Sequence, residues 1–599
     1  MKRHTFLRTF MLYFKSSPIR VLSVLILTLI SGILPSMHIL VSMKLINLIS
    51  QMLQSTEMNY FSNIWILLFS WLLISVISEL SINLQGTLNT IITEKFSASI
   101  MTNLSEYLSN LTDLRFYEDK DILLKVDMVR EQIQVRPQNF CFNITLNLKK
   151  IINLVSLFIV LFTVDFALPF FILCSTIPAF ILSQWVGKKQ WKQFEQIQNT
   201  KHKMTTYIKH SLDSEKAKDN FLFDFVKNFQ SFYFNLRDSY LSSIIRLSRK
   251  GLFFQIIFSL LSALFGVGLF FAMIFIVIKK HIGVGAVAGY VQAFMQTQYE
   301  IQDLATYGKW YFILIGYFEN YFDILDWATK ENNTSNLVES KKIILTEGIE
   351  SIELKNIYFS YSNDDIYAIK NLSAYIDGRK TFAVVGENGS GKTTLIKLLL
   401  GFYLPQKGEI IINGKYNLNT LDVLAYRKHF SAVFQDFAIY SGFSVDENIF
   451  VKPNITQTEM QKRNQKIKLL STSFADRIEN RYSNTIGTQY DGEEFSGGEK
   501  QSLAFLRSFL RKSDVMFFDE PTSAIDPIHE SEIIKTILEQ TKGKISLIVT
   551  HRMASVKFCN EIIVLNSGEI QESGSFEKLI EQDGIFTKFY NSQRNNFIE

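Results

Sequence analysis

Three short stretches of this sequence carry residues suited to handling a phosphate chain. The first is TFAVVGENGSGKTT, residues 381–394. Its apolar run predicts a buried strand over residues 382–385, and a glycine-rich turn then delivers Lys392, Thr393 and Thr394 to the start of an amphipathic helix. Gly386, Gly389 and Gly391 lack a Cβ, so the turn that also holds Asn388 and Ser390 can aim its backbone N–H groups inward. The helix N-terminus adds partial positive charge. Lys392 would reach the outer phosphates, and the Thr393 hydroxyl would hold the Mg²⁺ that neutralises them. A glycine turn of this pattern also arises by chance, but a strand before it and a helix after it argue for a nucleotide cradle.

The second stretch, DVMFFDEPTSAID at residues 514–526, runs an apolar strand into two adjacent carboxylates. Asp519 could support the metal, and Glu520 could polarise water as a general base for phosphoryl transfer. Such a pair can equally end a strand in solvent. The third, FSGGEKQ, places Ser496, Gly497 and Gly498 before a helical run, a second anion site at a helix N-terminus. Gln435 and His551 each follow a strand-like run and could reach the terminal phosphate. Either residue alone is more commonly a plain surface or core group.

The elements that must position these groups fall in the second half of the chain. Strands are predicted over residues 351–358, 381–385, 515–518 and 545–550, alternating with helical stretches, which fits a largely parallel sheet covered by helices. The polar stretch ENNTSNLVES, residues 331–340, reads as a linker.

Before it the character changes. With 599 residues the chain exceeds one core, and 14% aromatic against 20% charged residues suggests that much of it faces lipid. Six apolar stretches could cross a bilayer: residues 21–41, 64–84, 151–161 with flanks, 167–186, 252–278 and 284–299. Residues 1–56 hold six lysines and arginines and no acidic residue, which places the N-terminus in the cytoplasm. The connections after spans two and four are long and basic, hence cytoplasmic; Lys279 and Lys280 run against that bias. The apolar run is too long for a cleaved signal peptide, and three scattered cysteines imply neither a zinc site nor a disulfide framework. A net charge of +5 is small for this length and does not point to nucleic acid.

GENGSGKTT, FQDF, FSGGEKQ, VMFFDEPTSAID and IVTHR, in that order, resemble the ATP-binding cassette, and six spans ahead of it make the chain similar to a half-transporter of the ABC exporter type. The implied fold is multi-domain: an all-α polytopic membrane domain of six transmembrane helices at residues 1–330, a linker at 331–345, and an α/β P-loop ATPase domain at 346–599. The resemblance implies that Tyr361 stacks on adenine and that Gly386 to Thr393 is the Walker A loop. It makes Gln435 a contact to Mg²⁺ and to the membrane domain. Ser496, Gly497 and Gly498 become the signature that closes over ATP held by another subunit. Asp519 is the Walker B aspartate, Glu520 the catalytic glutamate, residues 523–526 with Asp526 the D-loop, and His551 the switch histidine. Phe495, Glu499 and Ile525 depart from the usual residues, and no glutamate follows Gly487.

One complete set of motifs implies a homodimer sharing two ATP molecules, although a heterodimer stays open. ATP and Mg²⁺ are the expected cofactors. The implied location is a bacterial plasma membrane, multi-pass, with the cassette in the cytoplasm. The layout is similar to exporters of ribosomally made peptides such as lanthipeptides; lipid or multidrug export is the alternative, and import through the same fold is a further one. The first span starts near residue 21, so no built-in leader peptidase is expected. Residues Leu111–Asp119 and 216–225 are candidate coupling helices. Glu79, Asn83, Gln85, Gln292, Gln296, Gln298, Glu300 and Asp303 could line a wet cavity suited to a cationic peptide, unless the span edges are misplaced and they sit at the interface.

Overall fold

The computed structural model describes residues 2–54, 61–163, 170, 200–213, 216–279, 283–334, 342–361, 366–468, 478, 481–522 and 527–595. The chain forms two compact units: Met1–Asn110 with Lys120–Asn332, and Leu111–Asp119 with Asn333–Glu599. The second unit thus takes back a nine-residue piece of the first of the two long connections.

The first unit is helical: α1 Lys2–Ser16, α2 Pro18–Gln54, α3 Phe61–Ser109, α4 Lys120–Gln132, α5 Arg136–Phe162, α6 Ala217–Leu222, α7 Phe225–Lys279 and α8 Val284–Thr334. Among the described residues, three helices are long and apolar enough to cross a membrane, within α2, α3 and α5. The predicted fifth and sixth spans fall inside α7 and α8, and the predicted fourth lies outside the described residues. The connection read as a long loop after span two is mostly helix. The 49 residues of α3 reach about 74 Å at helical rise, far beyond a hydrocarbon core of about 30 Å. Glu79, Asn83 and Gln85 therefore sit within a continuous helix and not at its end. Phe69 (66%), Leu264 (70%) and Phe275 (75%) point outward, as suits helices solvated by lipid.

Close helix approach organises this unit. Met43 of α2 and Tyr290, Ala293 and Phe294 of α8 share a core with Leu157, Val160 and Leu161 of α5. At Gly289 a Cβ would lie 1.8 Å from Met43 Cγ, so a larger residue there would force the Met43 side chain out of its place between α2 and α8. Four residues earlier, the Gly285 N–H donates to Asn47 Oδ1 at 2.7 Å. Gly289→Val is expected to overpack this crossing by about 1–3 kcal/mol. A lowered melting temperature of the detergent-solubilised protein, partly restored by adding Met43→Ala, is the expected result; an unchanged melting temperature would refute it.

The second unit is α/β. Its larger sheet has the order β10-β9-β3-β8-β7-β6, with β3 Thr381–Val385, β6 Phe430–Val433, β7 Val515–Asp519, β8 Ile545–Val549, β9 Glu561–Asn566 and β10 Glu569–Gly574. Only the β9–β10 pair is antiparallel. Phe382 and Val384 enter one core while Ala383 and Val385 enter the other. Burial on both faces is why this strand reads as an unbroken apolar run. The strand at residues 351–358 differs from its expected place. As β1, Ser351–Phe359, it joins a separate antiparallel sheet of order β2-β1-β4-β5, with β2 Ile369–Asp377, β4 Lys407–Ile412 and β5 Tyr416–Asn417. Its outer positions Lys355 and Asn356 are exposed, as one-sided antiparallel sheets allow. Helices α9 Lys392–Leu399, α10 Gly497–Leu510, α11 Pro527–Gln540, α12 Met553–Val556 and α13 Ile585–Asn595 complete the parts that bear on the site.

Candidate functional site

Parallel sheets present ligand sites at the carboxyl ends of their strands. Here Gly386 follows β3, His551 follows β8, Glu520 follows β7 and Gln435 follows β6, and these four strands are neighbours in that order. All four residues line one cleft of about 580 Å³ together with Glu387 and Asn388.

The loop between β3 and α9 wraps the Lys392 amine. Nζ donates to the carbonyls of Gly386 and Glu387, each at 2.8 Å, and the residue is buried. Burial pushes this ammonium below the usual lysine range, while the negative charges of Glu520 and Asp519 oppose the shift. At Gly386 a Cβ would lie 2.1 Å from the Leu565 carbonyl oxygen, so the loop's first turn requires glycine. Ser390 Oγ is buried with no protein partner, the kind of orphaned donor that a phosphate oxygen would satisfy.

Thr393 Oγ1 donates to Asp519 Oδ2 at 3.0 Å. Burial pushes the Asp519 carboxyl up, and the Thr393 bond opposes it. A hydroxyl and one carboxylate beside a phosphate cradle fit Mg²⁺, which is usually held by one or two carboxylates plus phosphate oxygens. Glu520 adopts φ of 48°, a left-handed backbone that costs about 1–3 kcal/mol outside glycine and asparagine and that gathers at functional sites. Its Oε1 lies 3.3 Å from His551 Nδ1.

Other expected residues stand outside this cleft. The Tyr361 hydroxyl is 3.0 Å from Thr394 Oγ1, and its half-exposed ring meets Tyr403 edge-on. Ser496 caps α10 in a reciprocal box with Glu499: the Ser496 N–H and Oγ donate to Glu499 Oε2 at 2.7 and 2.8 Å. Glu499 also pairs with Arg481, whose guanidinium lies 4.2 Å from the Phe495 ring centroid. The two departures Phe495 and Glu499 thus meet in one arginine. Gly497 and Gly498 open α10, and Gln501 Nε2 ties that helix to the Pro521 carbonyl at 2.6 Å. Asp526 lies outside the described residues.

Four residues that line the cleft had no sequence signal. Met553, Phe589, Ser592 and Gln593 also line the cleft, and three of the four come from α13. The Leu111–Asp119 piece forms a short 3-10 helix over Leu114–Tyr117 with Phe116 buried. Tyr403 donates to the Glu118 carboxylate, and Arg427 donates to the carbonyls of Thr112 and, at 2.6 Å, Gly401. Burial lowers the Arg427 guanidinium to about 10, with Asp113 opposing.

In the helical unit, Glu300 and Asp303 are less free than the cavity reading required. Lys150 pairs with Asp303 and lies 3.6 Å from Glu300, which also accepts from Asn153 at 2.8 Å. Gln292, Gln296, Tyr299 and Glu300 do share a recess of about 520 Å³. Gln85 is committed to Ser31 Oγ at 3.0 Å.

The second unit is therefore a P-loop nucleotide-binding domain. Residues 369–523 match the family model described as ABC transporter. The fold is similar to that of a bacterial Atm1-family ABC exporter with ATP bound, with a TM-score of 0.74 at 20% identity, covering 96% of this chain and 99% of the other. The subtilin transport ATP-binding protein of Bacillus subtilis is 25% identical over 98% of this chain and 94% of its own length. The nisin transport ATP-binding protein of Lactococcus lactis subsp. lactis is 24% identical over 88% of each. The α-hemolysin translocation ATP-binding protein of Escherichia coli O157:H7 is 32% identical over 44% of this chain and 36% of its own length. The chain joins an ABC transporter ATP-binding domain to an exporter-type membrane domain, and it is a membrane protein.

Proposed function

We propose that this chain is one half of an ATP-driven exporter that moves a peptide out of a bacterial cell. The observation that carries the reading is that Gly386, Gln435, Glu520 and His551 line one cleft at the ends of adjacent parallel strands, with Lys392 bonded to the Gly386 and Glu387 carbonyls of its wall and Thr393 bonded to Asp519, the neighbour of Glu520. Residues 1–330 form the membrane domain with six spans, and residues 346–599 form the cytoplasmic cassette. In this reading the cradle and Lys392 bind the phosphates, while Thr393, Asp519 and Gln435 hold Mg²⁺. Glu520 accepts a proton from the attacking water, and His551 contacts the terminal phosphate. Mg²⁺ would neutralise phosphate charge.

Ser496 to Gly498 lie at the start of α10 and not among the cleft residues, which supports their serving a second copy's ATP across a homodimer. The exposed apolar tip Phe221, Leu222 and Phe223 supports a docking role for residues 216–225 on that second copy. Closing and reopening the dimer would bias the membrane helices between two arrangements. A peptide cargo is favoured because the relatives matching along the whole chain transport subtilin and nisin, whereas the lipid A-core flippase of Mannheimia succiniciproducens matches over 46% of it.

Inside-out vesicles containing the protein test the proposal. ATP-dependent accumulation of a labelled cationic precursor peptide is expected. Translocation of labelled phospholipid with no peptide uptake would overturn the cargo assignment.

A further inference from the structure

The His551 side chain is 50% exposed, and its described ring contact is Glu520 Oε1 at 3.3 Å. A ring held so lightly must be aimed by its backbone. That backbone is gripped from the chain's far end: Gln593 Nε2 donates to the His551 carbonyl, and Gln593 Oε1 accepts from the Met553 N–H at 2.9 Å. One side-chain amide thereby spans the turn that connects β8 to α12. Only a group that both donates and accepts can close both bonds.

The helix that delivers Gln593 is itself anchored. Glu572 accepts from the N–H groups of Ile585 and Phe586 at 2.5 and 3.0 Å, at the first turn of α13. Phe586 is fully buried, and Thr587 Oγ1 donates to the Leu579 carbonyl at 2.9 Å. Phe589, Ser592 and Gln593 then form one wall of the nucleotide cleft.

We propose that Gln593 is a positioning residue for His551, and that α13 is a working part of the ATPase site. This rests on His551 acting on the nucleotide, as proposed above. Losing the amide frees the His551 carbonyl and lets the imidazole leave its place beside Glu520, where a displacement of about 1 Å can slow a reaction by up to 10²-fold.

The test compares the full-length transporter in lipid nanodiscs with Gln593→Ala, Gln593→Glu, His551→Ala and the double variant Gln593→Ala/His551→Ala. Gln593→Ala is expected to lower kcat for ATP about tenfold, with KM changed less than about twofold. Gln593→Glu keeps the Met553 bond but sets an acceptor against the His551 carbonyl, so it is expected to be at least as slow. Because Gln593 acts through His551, the double variant should be no slower than His551→Ala alone. A wild-type kcat in either Gln593 variant, or losses that multiply in the double variant, would overturn the proposal. So would loss of nucleotide binding with a collapsed melting temperature in Gln593→Ala, which would make the residue a structural anchor. If His551→Ala itself turned over at the wild-type rate, the role given to the histidine would fail and the clamp with it. A slow His551→Ala beside a normal Gln593→Ala would overturn the clamp alone.

Discussion

Glu520→Gln is expected to cut ATP turnover by about 10³-fold while leaving ATP binding within a few-fold of the wild type. The substitution changes one thing. Gln matches Glu in shape, tolerates the left-handed φ of 48° no better and no worse, and still offers an oxygen to His551 Nδ1. What it lacks is the lone-pair basicity of a carboxylate, so water can be held but not deprotonated. The cradle, Lys392 and the Thr393–Asp519 pair remain, and with them the ground-state grip on phosphate. Hydrolysis and nucleotide affinity should therefore separate, and ATP should accumulate in a closed dimer. Single-turnover hydrolysis measured beside fluorescent-nucleotide binding distinguishes this from a general defect. Turnover near wild type would remove Glu520 from the role of base, and a parallel loss of binding would mean that it holds the nucleotide.

The ATPase core was legible in the sequence because its chemistry is local. β3 and its loop occupy consecutive residues, and burial on both faces leaves an unbroken apolar run that contains no ambiguity of register. Asp519 and Glu520 sit at the end of a second such run. Residues that depend on distant partners were not legible. Residues 351–358 alternate, and alternation alone cannot say whether a strand pairs parallel or antiparallel; only its partners β2 and β4 decide that. The piece Leu111–Asp119 could be marked as a coupling candidate, but its partners Tyr403 and Arg427 lie about three hundred residues away and carry no signal of the pairing. Gln593 is more hidden still, an ordinary polar residue near the end of an amphipathic helix. Glu499 shows the converse. As a motif departure it looked tolerable, and its physical reason is the capping box with Ser496 and the pair with Arg481. The connection after span two reads as a loop for a different cause: a helix that runs past its apolar stretch keeps its helical form while its composition turns polar, so hydropathy ends the span where the helix does not.

Lys392→Ala is expected to weaken ATP binding by about 30-fold or more and to abolish transport, with the protein still inserted in the membrane. The size follows from where the ammonium sits. It is buried, it is depressed by that burial, and it makes two hydrogen bonds to the loop that would receive the phosphates. Removing one partner of a desolvated charge pair costs about 2–5 kcal/mol, which is about 30- to several-thousandfold in affinity. In the variant the Gly386 and Glu387 carbonyls also lose their donor, so the loop relaxes outward and the loss should fall toward the upper end of that range. The helical unit does not share this cost. It has its own core around Met43, Leu157 and Phe294, and none of those residues depends on the cradle. Membrane yield and the melting of the helical unit should then match the wild type while nucleotide-dependent changes vanish. Retained ATP affinity would show that the loop N–H groups and Ser390 suffice to hold the phosphates. Loss of the protein from the membrane would mean instead that the buried ammonium is needed for the chain to fold, and that its wrapping by the loop is a folding device before it is a binding one.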